Sequence, residues 1–160
     1  MNNNNNKTMY IANPMLVGAM ELVKKNKSPE NLKVLMDELA HSRLLSPVVI
    51  TPQPTVDETG KVKMAEDSKF SVPMLAGPDG RKFFVAYTDM NEIKKIKSEK
   101  PINVFPFAFT EYAAMVAKAD AECDGLAINP QSNGPIIAKP MIAAIMNTIL
   151  KKNAETSTEE

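Results

Sequence analysis

The sequence is poor in the residue types from which metal centres and disulfide frameworks are built. Among its 160 residues there are one cysteine, one histidine and no tryptophan. A lone cysteine cannot form an internal disulfide, and a structural zinc site needs four ligands such as cysteine and histidine. Phosphate-cradling glycine motifs are missing as well. The sequence therefore predicts no metal site and no other cofactor.

Net charge and long apolar runs are also missing. Lysine and arginine number 19, as do aspartate and glutamate, so the formal net charge is zero. A neutral protein lacks the field that gathers nucleic acid or an anionic membrane. The sequence has no secretion-type start, and no apolar run approaches the ~18 residues of a membrane helix. We therefore expect a cytoplasmic protein with no nucleic-acid partner and no membrane partner.

The sequence does contain the composition of a folded domain. Hydrophobic residues make up 44% and charged residues 24%, which is ordinary globular usage. A chain of this length can bury one core without a disulfide or a metal. The asparagine-rich residues 1–12 and the acidic residues 152–160 have little to bury, so we expect flexible tails there. One domain is expected over residues 13–151, and an oligomer is possible.

Start signals predict helices near both ends of this domain. An Asn-Pro step, with Asn13 as the cap, predicts a helix over residues 14–26. A Ser-Pro step predicts a second helix over residues 29–42, with one apolar stripe. Further helix starts are predicted at Asp89, with Glu92 at the capping-box spacing, at Thr110 and at Pro140.

Runs of β-branched and aromatic residues predict a sheet. The predicted strands are residues 48–51, two strands within 69–89 joined by a Gly-Pro-Asp-Gly turn, and residues 102–109, 125–128 and 135–138. Residues 53–68 are polar and predict a loop. Because residues 83–87 are apolar without interruption, we expect the sheet to be centred on residues 82–88. The predicted fold class is α+β: a single domain with a mixed β-sheet and packed helices, in two or partly three layers.

The acidic stretch before the fifth of these strands raises a calcium hypothesis. Asp120, Glu122 and Asp124, followed by Gly125, match the first half of a calcium-binding loop. The second half fails, because Gln131 stands where the loop needs a bidentate glutamate. We therefore interpret these residues as a turn that leads into a strand.

The lone cysteine raises the second hypothesis, a nucleophile. A nucleophilic thiol needs a base within hydrogen-bond reach, and the single histidine, His41, lies at the end of a different predicted helix. We interpret Cys123 as a small, partly buried residue at a strand entrance. The sequence predicts no catalytic residue.

Polar residues just beyond the ends of the buried strands are the candidate binding site. They are Thr88, Asp89, Asn129 and Pro130. Such groups can face a shared crevice. The alternative roles are helix capping for Asp89 and a local turn for Asn129. If the two residues bind a partner, changing both is expected to weaken partner capture with little change in melting temperature.

Three longer phrases give the chain a family resemblance. These are the aromatic strand with its helix, "FFVAYTDMNEI", the next strand and helix, "VFPFAFTEYAAMV", and the turn "DGLAINPQSNGPIIAK". Together with the opening helix "NPMLVGAMELVKK", they resemble the amino-terminal domain of the SseB family, named for enhanced serine sensitivity. The resemblance spans roughly residues 13–150. It implies an α+β domain and brings no catalytic residues with it.

Two function classes follow. The first is a non-catalytic binding or regulatory module with a protein or small-molecule partner. The second is a small enzyme that uses carboxylates such as Glu92, Glu111 or Asp124 in acid-base chemistry. We expect the first, because no nucleophile system accompanies the carboxylates.

Overall fold

The computed structural model describes residues 11–52, 54–99 and 102–158. In chain order its helices are α1 (Pro14–Lys25), α2 (Pro29–Ala40), α3 (Met90–Ile93), α4 (Phe109–Ala119) and α5 (Lys139–Thr158). Its strands are β1 (Arg43–Thr51), β2 (Thr55–Val56), β3 (Val62–Lys63), β4 (Lys69–Ser71), β5 (Met74–Ala76), β6 (Lys82–Ala86), β7 (Asn103–Ala108), β8 (Gly125–Ile128) and β9 (Ile136–Ala138). The predicted α+β class is confirmed. Most of the predicted amino-terminal tail, residues 1–10, lies outside the described residues.

The strands form two sheets and one small hairpin. An antiparallel sheet has the order β4-β1-β7, and a mixed sheet has the order β5-β6-β8-β9 with β6 and β8 parallel. The two sheets meet at Leu45 and Tyr87, whose backbones exchange two N–H···O bonds of 2.8 Å. The predicted centre of the sheet is confirmed, because β6 lies between β5 and β8.

Side chains alternate between the faces of the mixed sheet, as the pleat of a strand requires. One face packs against buried side chains of α1, α2, α4 and α5, which form the larger core. On this face lie Phe84, Ala86, Leu126 and Ile128. The opposite face builds a smaller core with Ile93 of the short helix α3. On this face lie Phe83, Val85 and Ala127, and the same core includes Tyr87, which follows β6, and Leu45 of β1.

Two predicted helix caps are confirmed by their hydrogen bonds. The Ser28 hydroxyl accepts from the backbone N–H of Asn31 at 3.1 Å, at the start of α2. The Asp89 carboxylate accepts from the N–H of Glu92 at 3.0 Å, at the start of α3. These bonds satisfy N–H groups that the first turn of a helix leaves free.

Of the other two cap predictions, one is wrong and one is confirmed in position but not in its hydrogen bond. Thr110 does not cap α4, because that helix already begins at Phe109 and its N-cap position is Ala108. Asn13 occupies the N-cap position of α1, but its side chain makes no capping bond. Its amide donates instead to the backbone oxygens of Arg43, at 2.9 Å, and Thr88, at 2.8 Å. Asn13 therefore ties the helix start to the sheet.

Several element boundaries also differ from the predictions. Helix α2 ends at Ala40, and β1 begins at Arg43 because residues 43–48 pair with β7. The predicted loop over residues 53–68 contains the β2–β3 hairpin. The first strand of the 69–89 region is broken before Pro73, which has no N–H for a ladder, so β4 pairs with β1 and β5 pairs with β6. Helix α5 continues past residue 152 to Thr158.

Within the described ranges, no helix is both long and apolar enough to cross a membrane.

Candidate functional site

The candidate site lies where two parallel strands end side by side. Ala86 of β6 pairs in register with Ile128 of β8. Because the strands are parallel, the residues that follow both of them come out at the same edge of the sheet. The candidate residues predicted from the sequence follow these strands directly, and the structure brings Thr88 and Asn129 into contact.

Thr88 and Asn129 form a closed pair of hydrogen bonds. The Thr88 N–H donates to Asn129 Oδ1 at 3.1 Å, and Asn129 Nδ2 donates to Thr88 Oγ1 at 3.0 Å. The Thr88 hydroxyl donates onward to Asp89 Oδ2 at 2.9 Å. Thr88 is 0% and Asn129 4% exposed, so the pair is a buried and fully used polar network.

The backbone of Asn129 is shaped for the turn that follows it. Its φ of 48° and ψ of 56° lie in the left-handed region, which asparagine tolerates better than most residues. Its carbonyl accepts from the N–H groups of Ser132, at 2.9 Å, and Gly134, at 3.1 Å. A Cβ at Gly134 would stand 1.9 Å from the Ile128 oxygen, so only glycine fits there. These contacts fix the Pro130–Ser132 turn.

A second polar cluster joins this turn to α3. The Ser132 hydroxyl donates to Glu92 Oε2 at 2.6 Å. The Lys95 ammonium donates to Glu92 Oε1 at 2.9 Å and to the Ser132 hydroxyl at 2.7 Å. Glu92 therefore does not reach back to complete a capping box. Its carboxylate instead accepts hydrogen bonds from the Lys95 ammonium and the Ser132 hydroxyl, which join α3 to the turn.

The candidate residues line two different spaces. Asp89 and Asn129 line a polar crevice of about 120 Å³ between α1 and the turn. Pro130 lines a larger groove of about 470 Å³. Thr88 is buried and belongs to the lining of neither. The strand ends thus separate a small polar space from a large apolar one.

The groove lies on the face of the sheet that the long helices leave uncovered. It runs between β1, β5 and β6 and is bounded on its other side by residues 96–98, 102–103 and 130–131. Most of its lining is apolar. The apolar lining residues are Pro47, Val48, Val49, Pro73, Met74, Leu75, Val85, Ile96, Ile102 and Pro130.

Groove side chains remain accessible to solvent although they are apolar. Val49 is 44% and Leu75 45% exposed. Tyr87 also lines the groove, although it is only 2% exposed, and its hydroxyl is hydrogen-bonded to the Gln131 side chain. Burial raises the pKa of the Tyr87 phenol, and the bond with Gln131 opposes that effect. The groove is therefore an apolar surface with a neutral phenol and an amide at one side.

The carboxylates considered for acid-base chemistry lie apart from one another. Glu92 follows the carboxyl end of β6, whereas Asp124 precedes β8 and accepts from the Lys82 N–H at 3.0 Å. Those two positions are at opposite ends of the parallel pair. Glu111 is exposed on α4. Strand β8 likewise separates Asp124 from Gln131, so the calcium-loop positions do not converge.

The cysteine and the histidine also lie apart. Cys123 is fully buried in the larger core, and its thiol donates to the Gly125 oxygen at 3.2 Å. His41 is exposed at the end of α2, where its Nδ1 contacts the backbone carbonyl oxygen of Asp37 at 2.8 Å. Cys123 precedes β8, as interpreted, but it is fully buried rather than partly buried. Among the described residues no group of histidine, cysteine, aspartate and glutamate side chains is placed to hold a metal ion.

Sequence reasoning missed most of the groove. Val49 and Leu75 were predicted as strand residues without a role, and Ile96 and Gln131 were not assigned to any site. The sequence carried only a weak signal of the groove. In β1, positions 46, 48 and 50 are buried on one face, and positions 47 and 49 on the other face are also apolar. Such alternation indicates that both faces of the strand are apolar.

The fold and its surface define the class: a single α+β domain with its four long helices on one face of a mixed sheet, and the short helix α3 and an apolar groove on the other. A family model, the SseB protein N-terminal domain, matches residues 16–144. The chain belongs to the SseB family. Comparison with curated proteins and with solved structures found no match.

Proposed function

We propose that this SseB-family protein is a non-catalytic binding module, and that its partner, a protein or a small molecule, places an apolar group in the groove between β1, β5 and β6. The observation that carries the proposal is the size and lining of the groove. Its volume of about 470 Å³ falls in the range of roughly 300–1,000 Å³ typical of ligand sites, which are mostly apolar with a few polar groups. A cytoplasmic location is part of the same proposal.

The four candidate residues take different roles in this module. Pro130 contacts the partner, since it lines the groove. Thr88, Asp89 and Asn129 are positioning residues, because their hydrogen bonds hold the turn that carries Pro130 and Gln131. A preorganised turn lowers the entropy that binding has to offset.

The positions of the carboxylates favour binding over the alternative of a small enzyme. General acid-base chemistry needs the acid and the base within reach of one substrate. Glu92 and Asp124 lie at opposite ends of the strands, and each carboxylate already accepts hydrogen bonds from the protein. The groove itself has no carboxylate among its described lining residues.

A matched pair of valine substitutions tests the groove. The probe is phenylnaphthylamine, a neutral dye whose fluorescence rises in apolar surroundings. Val49 in the groove is 44% exposed and Val34 on α2 is 42% exposed, so Val49→Asp and Val34→Asp add the same charge at similar accessibility. We expect saturable binding at one site per chain, weakened about tenfold by Val49→Asp, which corresponds to roughly 1.4 kcal/mol.

Val34→Asp is expected to bind the dye as the parent protein does, with both variants checked for folding by circular dichroism. Equal dye affinity in Val49→Asp and Val34→Asp, or no saturable binding at all, would overturn the proposal.

A further inference from the structure

The groove has an uneven distribution of charge. Lys97 is its one cation among the described lining residues, and neither aspartate nor glutamate is present there. The other polar lining residues are Tyr87, Ser98, Asn103 and Gln131. A protein with no net charge therefore has a locally positive apolar groove, and local charge of this kind selects ligands of opposite sign.

The nearby acidic side chains do not cancel this charge inside the groove. Glu92, the carboxylate of α3, is engaged by Lys95 at 2.9 Å and by Ser132 at 2.6 Å. Glu99 follows Lys97 in the chain but is exposed and does not line the groove. Lys97 thus presents the formal charge that an occupant of the groove meets.

We propose that the natural occupant is a small organic anion with one acidic group and an apolar body. The apolar body lies against Val49, Leu75 and Val85, and the anionic group lies at Lys97. This inference rests on the proposed function, since it names the chemistry of the partner that the groove accepts.

Because Lys97 is the one cation among the described lining residues, the groove favours a ligand with a single negative charge. A polyanion such as a nucleotide or a nucleic-acid segment would bring several charges to a groove that offers one lysine, and most of them would lose hydration without a partner. The apolar lining equally disfavours small hydrophilic acids, which gain little from burial. A monoanion with a hydrocarbon or aromatic body satisfies both parts of the lining.

Two dyes with the same apolar body separate the contribution of the charge at Lys97 from the contribution of the apolar lining. Anilinonaphthalene sulfonate carries one negative charge at all working pH values, and phenylnaphthylamine has the same rings without the sulfonate. The measured quantity is the ratio of the two dissociation constants, neutral dye over sulfonate. We expect Lys97→Gln to lower this ratio about fivefold, the size of a partly exposed ion pair. Added salt is expected to lower the ratio in the parent protein and not in the variant.

Two further variants locate the effect. Lys118→Gln removes the same charge from the exposed surface of α4, on the helix-covered side, and is expected to leave the ratio unchanged. Ile149→Asp alters a second apolar cleft of about 370 Å³ between α2 and α5, and is expected to leave both dyes bound.

The outcomes separate this inference from the function on which it rests. An unchanged ratio in Lys97→Gln, with neutral-dye binding still sensitive to Val49→Asp, would overturn the anion inference and leave the binding module standing. Loss of the sulfonate signal in Ile149→Asp but not in Val49→Asp would also overturn it. Absence of binding by either dye would overturn the proposed function itself.

Discussion

Thr88 and Asn129 hydrogen-bond each other in both directions, at 3.1 and 3.0 Å, and so join the ends of the parallel strands β6 and β8. The pair is nearly inaccessible to solvent, so neither side chain is available to a large partner. In the proposed binding module, the contribution of this pair is to fix the turn after β8. This geometry changes what substitutions at the site are expected to do.

Asn129→Ala is expected to destabilise the protein strongly. It removes two buried hydrogen bonds and leaves the Thr88 N–H without its acceptor, at a cost of about 2–3 kcal/mol. The matched control is Asn133→Ala, because Asn133 has a similar left-handed φ of 55° but is exposed. Urea unfolding should show that Asn129→Ala costs at least ~2 kcal/mol more than Asn133→Ala. Equal costs would mean that backbone strain alone accounts for the effect.

Because Asn129 is buried, a double change of Asp89 and Asn129 is expected to lower the melting temperature as well as partner capture. The sequence alone suggested a change in capture with little change in stability. Single substitution of Asp89 by Asn, which can still cap α3, is therefore the cleaner probe of the polar crevice.

Gly134→Ala and Gly18→Ala are expected to have opposite effects on stability. An added Cβ at Gly134 would lie 1.9 Å from the Ile128 oxygen, whereas one at Gly18 in α1 meets nothing within 4 Å. Replacing a helical glycine by alanine stabilises by about 1 kcal/mol. The clash at Gly134 is expected to cost about 4 kcal/mol, near the top of the range for single substitutions. A mild effect of Gly134→Ala in urea unfolding would show that the turn can shift.

The thiol of Cys123 is expected to react only when the protein unfolds. It is completely buried and donates to the Gly125 oxygen, and a reagent needs an exposed thiolate. Labelling by a chromogenic disulfide reagent should therefore be slow in buffer and should follow the unfolding transition as urea is raised. Rapid labelling of the native protein would show that the chain opens locally around β8.

The stability of the protein is expected to fall as pH rises above about 10, the unperturbed pKa of tyrosine. Burial raises the pKa of Tyr112, with a smaller opposing effect from its hydrogen bond with Ser46, while Tyr87 and Glu111 add to the rise. The native state therefore keeps a proton that the unfolded chain releases, so ionisation favours unfolding. Each such group lowers the free energy of unfolding by up to about 1.4 kcal/mol per pH unit.

Tyr112→Phe is the control for this pH dependence. The variant loses the 3.3 Å hydrogen bond to the Val85 backbone oxygen but keeps the ring. In urea unfolding, its free energy of unfolding should therefore decline less between pH 9 and pH 11 than that of the parent protein. The difference should equal the contribution of one ionising tyrosine. An identical decline in the parent protein and the variant would contradict the role of Tyr112.

Local sequence signals were sufficient for the strands that meet at the candidate site. The apolar runs of β6 and β8 are continuous and are followed by Thr-Asp and Asn-Pro steps, so their burial and their ends could be read directly. The parallel pairing then placed Thr88 beside Asn129. Caps at Ser28 and Asp89 were also predictable, because each cap depends on residues within one turn.

The groove depends on contacts between residues far apart in sequence, so local patterns could not reveal it. Residues 43–47 carry little strand signal of their own, because Arg43, Ser46 and Pro47 interrupt the apolar residues. The pairing that makes them a strand is with β7, some sixty residues later in the chain. The break at Pro73 divides one predicted strand between two sheets for a similar reason. Thr110 failed as a cap because tertiary contacts extended the helix to Phe109.

The backbone bridge between Leu45 and Tyr87 gives the two sheets a pivot. Among the described residues it is the one isolated bridge, while each sheet keeps its own ladder. A slight rotation about this point would alter the spacing between β1 and β6 without breaking either ladder. In the proposed binding module, such a rotation would admit occupants of unequal thickness at the expense of few hydrogen bonds.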